Sequence, residues 1–182
     1  MDADRALVEA ASRGDRDAFN ELVRRHQAAI VALVRGLVGP SPDVGDLAQD
    51  VFVRAWRSLK TFRGDSSFRT WLHRVAINVV RSSQARRSRT ARLVRPASED
   101  DPEPASVAES VERTLTRRDA IERALASLPD DLREAVILRD VQGLEYKEMA
   151  DMLGVPIGTV ESRIFRARQR LRPLLAPLVK LP

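Results

Sequence analysis

The sequence predicts an all-α protein built as two small helical domains, an N-terminal helical bundle and a C-terminal helix-turn-helix, joined by an acidic flexible linker. Three observations carry that reading. Apolar residues recur at spacings of three and four through both halves, with no useful run of period-2 alternation. The recurrence breaks from about residue 90 to 112, where Pro96, Pro102 and Pro104 stand among serines and acids. Charge is also blocked: Phe68 to Arg95 holds eight arginines and no acid, Pro96 to Glu112 six acids and no base, and Arg163 to Arg172 five arginines and no acid.

Leu7, Val8 and Ala11 fit one short helix, closed by Gly14-Asp15. A longer helix follows, with Phe19, Leu22, Val23, His26, Ile30, Leu33, Val34 and Leu37 on its apolar face. Gly39-Pro40-Ser41-Pro42 ends it, because proline lacks an amide hydrogen and keeps its predecessor out of the helical region. Asp43 is the expected N-cap of the next helix, with Asp46 as a capping-box variant. Leu47, Val51, Phe52, Ala55, Trp56 and Leu59 give that helix its apolar stripe. Thr61 to Ser67 reads as a loop around Gly64-Asp65, and Ser66 or Ser67 caps a fourth helix carrying Phe68, Trp71, Leu72, Val75, Ile77 and Val79. Four helices in about 85 residues can enclose one core. After the linker, Leu115, Ile121, Leu125 and Leu128 resume the periodicity, and Pro129 opens a helix that Gln142-Gly143 ends. Two short helices, Tyr146 to Leu153 and Ile157 to Leu171, complete the chain before an apolar tail. The expected domains are residues 1–88 and 113–172, with a linker at 89–112 and a tail at 173–182.

The pair of helices from Tyr146 to Phe165 is the sharpest signal. Met149 and Leu153 face inward, Ala150 is small where the helices cross, Gly154 can take the positive φ of a tight turn, and Val155 plugs the gap. Val160 and Ile164 pin the second helix. Its other face carries Thr159, Ser162, Arg163 and Arg166, with further arginines beyond. Short polar residues near the helix start can approach base edges in a major groove, and arginines can bridge to phosphate or guanine. An ordinary αα-hairpin with a basic solvent face is the plainer reading. Glu161 interrupts the positive face and is expected to point to solvent.

Composition limits the alternatives. The absence of cysteine excludes a disulfide framework and a thiolate zinc site, and two distant histidines, His26 and His73, argue against any metal centre. No cofactor is expected. No stretch of about 18 uncharged apolar residues exists to span a membrane, and the N-terminus does not resemble a signal peptide, so a reducing cytoplasm is the expected location. The net charge of +5 is modest, but two basic blocks separated by an acidic one suggest two surfaces for a polyanion. The acids lie on helix faces or in the linker, with no P-loop, HExxH or EF-hand pattern, so no enzyme is expected.

Two further segments then become recognisable. Asp46-Leu-Ala-Gln-Asp-Val-Phe-Val-Arg-Ala-Trp56, and Phe62-Arg-Gly-Asp-Ser-Ser-Phe-Arg-Thr-Trp-Leu72 followed by Arg74-Val-Ala-Ile-Asn78, resemble the core of the extracytoplasmic-function sigma factors of the sigma-70 family. Leu128 through Arg168 resembles their C-terminal domain in the same order. The resemblance implies a promoter-specificity subunit of bacterial RNA polymerase, acting in a stress or envelope-signal response. Residues 1–88 would dock on the polymerase core and open the −10 element, with Asp46, Gln49, Asp50, Arg54 and Arg57 on the polymerase-binding face. Phe62, Arg74, Asn78 and Ser82 match the positions of a pocket for an extruded base, and Arg81, Arg86, Arg87 and Arg89 would follow the phosphates. Trp71 reads as core, and Phe62 as either a pocket wall or a core plug. Residues 113–172 would read the −35 element through Thr159, Ser162, Arg163, Phe165 and Arg166. Many relatives carry a basic residue in place of Glu161.

By the same resemblance the partners are core polymerase, promoter DNA and an anti-sigma factor, often membrane-anchored, with no small-molecule substrate. The acidic linker would thread polymerase channels that otherwise hold nucleic acid, or act only as a solubilising tether. A free-standing helix-turn-helix regulator is the rival reading. It predicts operator binding without polymerase, for which the sequence offers neither a ligand pocket nor dimer heptads.

Overall fold

A computed structural model describes residues 3–94 and 117–179, all helix and connecting turn with no strand among the described residues. The helices are α1 (Arg5–Ser12), α2 (Arg16–Val38), α3 (Val44–Ser58), α4 (Phe68–Val94), α5 (Arg117–Ala126), α6 (Asp130–Val136), α7 (Tyr146–Leu153) and α8 (Ile157–Val179). A 3₁₀ turn, Leu59–Thr61, follows α3, and a π turn, Ile137–Val141, follows α6.

The N-terminal helices close around Leu22, Ile30, Leu33, Val34, Val51, Phe68 and Leu72, all fully buried. Their starts are set locally. Asp15 caps α2 by accepting from the amides of Asp17 and Ala18 at 2.9 and 3.0 Å. Ser67 caps α4, its Oγ accepting from the Thr70 amide at 3.1 Å. Asp43 does not cap α3 as expected. Its carboxylate takes the Ser41 hydroxyl at 2.9 Å and the Arg87 guanidinium instead, and its helical φ/ψ of −76° and −5° aims the side chain away from the amides ahead. Asp4, 7% exposed, ties α1 to α2 by pairing with His26 at 2.7 Å and Arg25 at 3.1 Å.

Two helices outrun their expected ends. α4 continues to Val94, through residues expected to begin the linker. Its last turns, residues 85–94, hold no glycine and no proline before Pro96, so nothing local stops it. The remainder of the expected linker lies outside the described residues. α8 runs to Val179 through Pro173 and Pro177, where a tail was expected. Leu175 packs against the core and Arg117 donates to the Leu178 carbonyl at 3.0 Å, so tertiary contacts hold the last turns despite two missing amides. Residues 180–182 are outside the described part of the tail.

The C-terminal helices bury Leu132, Ala135, Ile137, Leu138, Met149, Val160, Ile164 and Ala167. The two halves share one continuous core. Helix α2 lies against α5, α6 and the π turn, and α4 against α7. Gly36 shows how close the approach is. A Cβ there would sit 2.9 Å from Ile137 Cδ1. Glycine inside a helix costs roughly 1 kcal/mol relative to alanine, and at Gly36 that cost is offset by admitting Ile137.

Candidate nucleic-acid and partner interfaces

The helix-turn-helix forms as its residues dictate. Glu148 accepts from the Glu145 amide at 3.0 Å, fixing the start of α7. Gly154 ends α7 in the left-handed region at φ 68°, where its amide and that of Val155 bond back to the Ala150 carbonyl at 2.9 and 3.2 Å. Pro156 then leads into α8, its carbonyl accepting from Thr159 and Val160. Val160, Ile164, Ala167 and Leu171 form the buried stripe of α8. Met152, absent from the sequence reading, is buried beside them; its place one turn from Met149 was the available signal.

Opposite that stripe, Thr159, Ser162, Arg163 and Arg166 share a face by their spacing of three and four. Ser162 and Arg166 are exposed, Thr159 and Arg163 partly covered. Arg166 donates to the Ser162 carbonyl and hydroxyl, both at 3.3 Å, which holds its guanidinium over the first turns of the helix. Arg163 lies 3.4 Å from Asp131 on α6. Phe165 is 62% exposed, which no core role explains. Glu161 is exposed, as expected.

On α4, Arg74, Asn78 and Ser82 follow at four-residue spacing, and all three are exposed, as are Arg81 and Arg86. The Ser82 hydroxyl turns back to the Asn78 carbonyl at 2.7 Å, leaving the Asn78 amide as the neutral polar group of this face. Arg74 donates to the Asp151 carbonyl at 3.3 Å, and Arg81 pairs with Glu134 at 2.7 Å. Burial raises the Glu134 carboxyl above the ordinary glutamate range, against the opposing pull of Arg81.

Phe62 is half-buried in an aromatic cluster, 5.3 Å from Trp71 and 6.3 Å edge-on to Phe68. Trp71 is likewise half-buried, 5.7 Å from Phe68, so both rings belong partly to the core. The loop after Phe62 walls a cavity of about 730 Å³ with α1, lined by Arg5, Glu9, Phe62, Arg63, Asp65 and Ser67 among others. Arg74, Asn78 and Ser82 do not line it. The structure thus brings Phe62 to the cavity and leaves the three α4 residues along the helix face.

On α3, Asp46 and Gln49 are exposed, and Asp50 pairs with Arg54 at 3.0 Å one turn on. Phe52 and Trp56, from the apolar stripe of that helix, pack against the core with only part of their surface. They are half-buried and line a groove of about 460 Å³ with Arg16, Phe19, Gln49, Val53 and Arg57. The 4.9 Å stack of Phe19 on Trp56 forms part of its wall. Val53, 39% exposed, was missed; it falls off the buried Leu47–Val51–Ala55 stripe by half a turn, which is a legible signal of exposure. A polar rim around an exposed apolar patch suits a protein partner. Among the described residues no group of His, Cys, Asp and Glu is arranged to hold a metal ion.

Residues 22–90 match the family model for sigma-70 region 2, and residues 118–171 the model for sigma-70 region 4. The chain is 39% identical to the ECF RNA polymerase sigma-E factor of Escherichia coli K12, over 97% of this chain and 96% of that one. It is 38% identical to the RNA polymerase sigma-H factor of Pseudomonas aeruginosa, over 99% and 97%. Among solved structures it resembles CnrH in complex with the cytosolic domain of CnrY, at 33% identity and TM-score 0.70 over 97% of this chain and 99% of that one. It also resembles RpoE in complex with the anti-sigma factor NepR from Bartonella quintana, at 29% identity and TM-score 0.71 over 87% and 96%. The chain belongs to the extracytoplasmic-function sigma factors of the sigma-70 family.

Proposed function

We propose that this protein is the promoter-specificity subunit that directs bacterial RNA polymerase to initiate transcription, without catalysis of its own, in the cytoplasm and in response to stress or an envelope signal. Its partners are core polymerase, promoter DNA and an anti-sigma factor that covers it until the signal arrives. The observation that carries the reading is the α7–α8 unit: a left-handed Gly154 turn, a buried Val160–Ile164–Ala167 stripe, and an exposed face bearing Ser162 and Arg166.

Three surfaces divide the work. The α8 face, with Thr159, Ser162, Arg163, Phe165 and Arg166, reads the −35 element in the major groove. The α4 face, with Arg74, Asn78, Arg81, Ser82 and Arg86, together with Phe62, holds the separated −10 strand. Opening the duplex costs a few kcal/mol per unstacked step, and arginines on phosphates with an amide on an exposed base return part of it. The α3 surface, with Asp46, Gln49, Asp50 and Arg54 around the Phe52–Trp56 groove, docks on polymerase. Core polymerase fixes the spacing of the two reading surfaces and so raises their effective concentration on one promoter.

Run-off transcription with purified core polymerase and a promoter library tests this. RNA from a subset of promoters is expected only when the protein is present. Replacing Arg166 with alanine is expected to weaken −35-dependent initiation by about 1–3 kcal/mol. No RNA from any promoter refutes the function, and unchanged output with Arg166→Ala removes that residue from the reading face.

A further inference from the structure

The π turn that precedes α7 braces both helices of the helix-turn-helix. Its Asp140 takes the Arg168 guanidinium of α8 through two bonds, from Nε to Oδ2 at 3.1 Å and from Nη2 to Oδ1 at 2.5 Å. The neighbouring Arg139 donates to the Leu144 carbonyl at 2.7 Å and lies 4.9 Å over the ring of Tyr146, the first residue of α7. One turn thus grips α7 at its start and α8 in its middle. Its own hydrogen bonds run wide: the Gln142 amide returns to the Ile137 carbonyl, and the Leu144 amide to the Leu138 carbonyl, both at 3.0 Å. Ile137 and Leu138 are fully buried, so the turn is a fixed platform.

Arg168 stands in a run of five arginines from Arg163 to Arg172, where a phosphate is the first partner to consider. Its direction argues against one. At 3.6 residues per turn, Arg168 projects roughly 160° around the helix from Arg166, away from the reading face. Arg170, by the same count, falls roughly 40° from Arg166, and it is exposed. Apolar contact is non-directional, so the buried stripe of Val160, Ile164 and Ala167 fixes how close α8 lies. A two-bonded guanidinium–carboxylate fork fixes orientation as well as distance, and it is the group that can set how far α8 is rolled.

We infer that Asp140 and Arg168 are positioning residues for −35 reading: their fork sets the roll of α8, and so the aim of Thr159, Ser162 and Arg166 at the bases, without touching DNA. Arg168 is thereby removed from the phosphate contacts, although it belongs to the basic block. Phosphate contacts attract and base contacts discriminate. The pair therefore controls discrimination among −35 sequences and leaves the general attraction to DNA alone. The inference rests on the assignment of the α8 face to the −35 element.

Run-off transcription by core polymerase with the full chain, on one promoter and on its single base-pair variants in the −35 element, tests this. Two quantities are read below template saturation: the ratio of parent to variant output, and the slope of log output against log salt. Asp140→Ala removes an acid and so cannot lose a phosphate contact, yet it is expected to shrink the ratio at least about threefold. Arg168→Ala should shrink it equally and keep the wild-type slope, whereas removing an arginine from a phosphate lowers the slope by about 1. Arg168→Lys keeps the charge but cannot fork, and it should lose most of the discrimination too. Circular dichroism checks that helix content is kept, and a loss of folded protein lowers output from every promoter alike without moving the ratio. A wild-type ratio in Asp140→Ala, a lowered slope in Arg168→Ala, or full discrimination in Arg168→Lys each overturns the positioning role. A wild type that transcribes all the −35 variants equally refutes the assignment of the α8 face itself, a result that no change at Asp140 can produce.

Discussion

His73 gives the N-terminal helices a calculable sensitivity to acid. It sits on α4 at 1% exposure, and its Nδ1 has no hydrogen-bond partner. Burial is the main reason its pKa falls to about 4; the positive charge of Arg69 and the neighbouring His26 push the same way, and Glu148 on α7 opposes them. In the unfolded chain the ring titrates near its ordinary 6.5. The folded value is the lower one, so acid drives protons onto the unfolded chain first. The stability that neutral His73 contributes is complete above about pH 6.5 and drains away as pH falls toward 4. At 1.36 kcal/mol per pH unit the whole loss is about 3 kcal/mol, and about 2 kcal/mol of it has gone by pH 5. Trp56 and Trp71, the only tryptophans, both lie in the N-terminal helices, so tryptophan fluorescence in urea reports that half of the molecule. The wild type should lose about 2 kcal/mol more than His73→Leu between pH 7.5 and pH 5. Carboxylates that titrate in this range are common to both proteins and cancel in the comparison. Equal losses would show that the buried ring is not the acid-sensitive group.

Other outcomes follow from single side chains. Arg133, with its side chain only 13% exposed, donates to the carbonyls of Leu125, Ala126 and Leu128 and across to Leu37. A lysine cannot distribute its hydrogens over that fan, so Arg133→Lys should cost about 2–3 kcal/mol in urea unfolding; a loss under half of that would demote the fan to decoration. Gly154→Ala meets no neighbour within 4 Å, so only the left-handed backbone resists it, and the expected cost is about 1–2 kcal/mol in a thermal melt. A neutral result would mean the turn relaxes to another geometry. Asn78→Ala should slow open-complex formation, read by permanganate reactivity of the −10 strand, while leaving closed-complex binding within about twofold. Equal loss at both stages would move Asn78 out of the melting step.

The helices were legible because each has one buried face repeating at three and four, and because Asp15, Ser67 and Gly154 mark ends by chemistry that acts within a few residues. What was not legible depends on distant partners. Pro173 and Pro177 signal a stop by local rules, yet Leu175 and the Arg117–Leu178 contact continue α8 past both. Phe52 and Trp56 carry the right period for a core stripe, but period marks only the side of the helix, and no neighbour covers them fully. The base pocket expected from Phe62, Arg74, Asn78 and Ser82 splits into a loop cavity and a helix face for the same reason: spacing aligns three of them on α4 but carries no information on where the loop lies.

The arginine blocks show most clearly how a linear reading can be both correct and incomplete. A run such as Phe68 to Arg95 without a single acid cannot neutralise itself through i,i+4 pairs, and a polyanion is the natural inference. In the folded chain Arg81 finds its acid on α6 and Arg87 its acid on Asp43, both far away in sequence. Magnitude decides what those pairs can do. The Arg81 side chain is 51% exposed, so solvent screening holds its bond with Glu134 to about 1 kcal/mol or less. The contact between the two halves of the chain therefore leans more on buried Leu37, Ile137 and the close approach at Gly36 than on that ion pair. A duplex presents a phosphate about every 1.7 Å of its axis, against the two α6 carboxylates, Asp131 and Glu134, that meet Arg163 and Arg81. Polyvalent DNA can thus displace the acids from the arginines without any one bond being strong, but it gains nothing against the apolar contact.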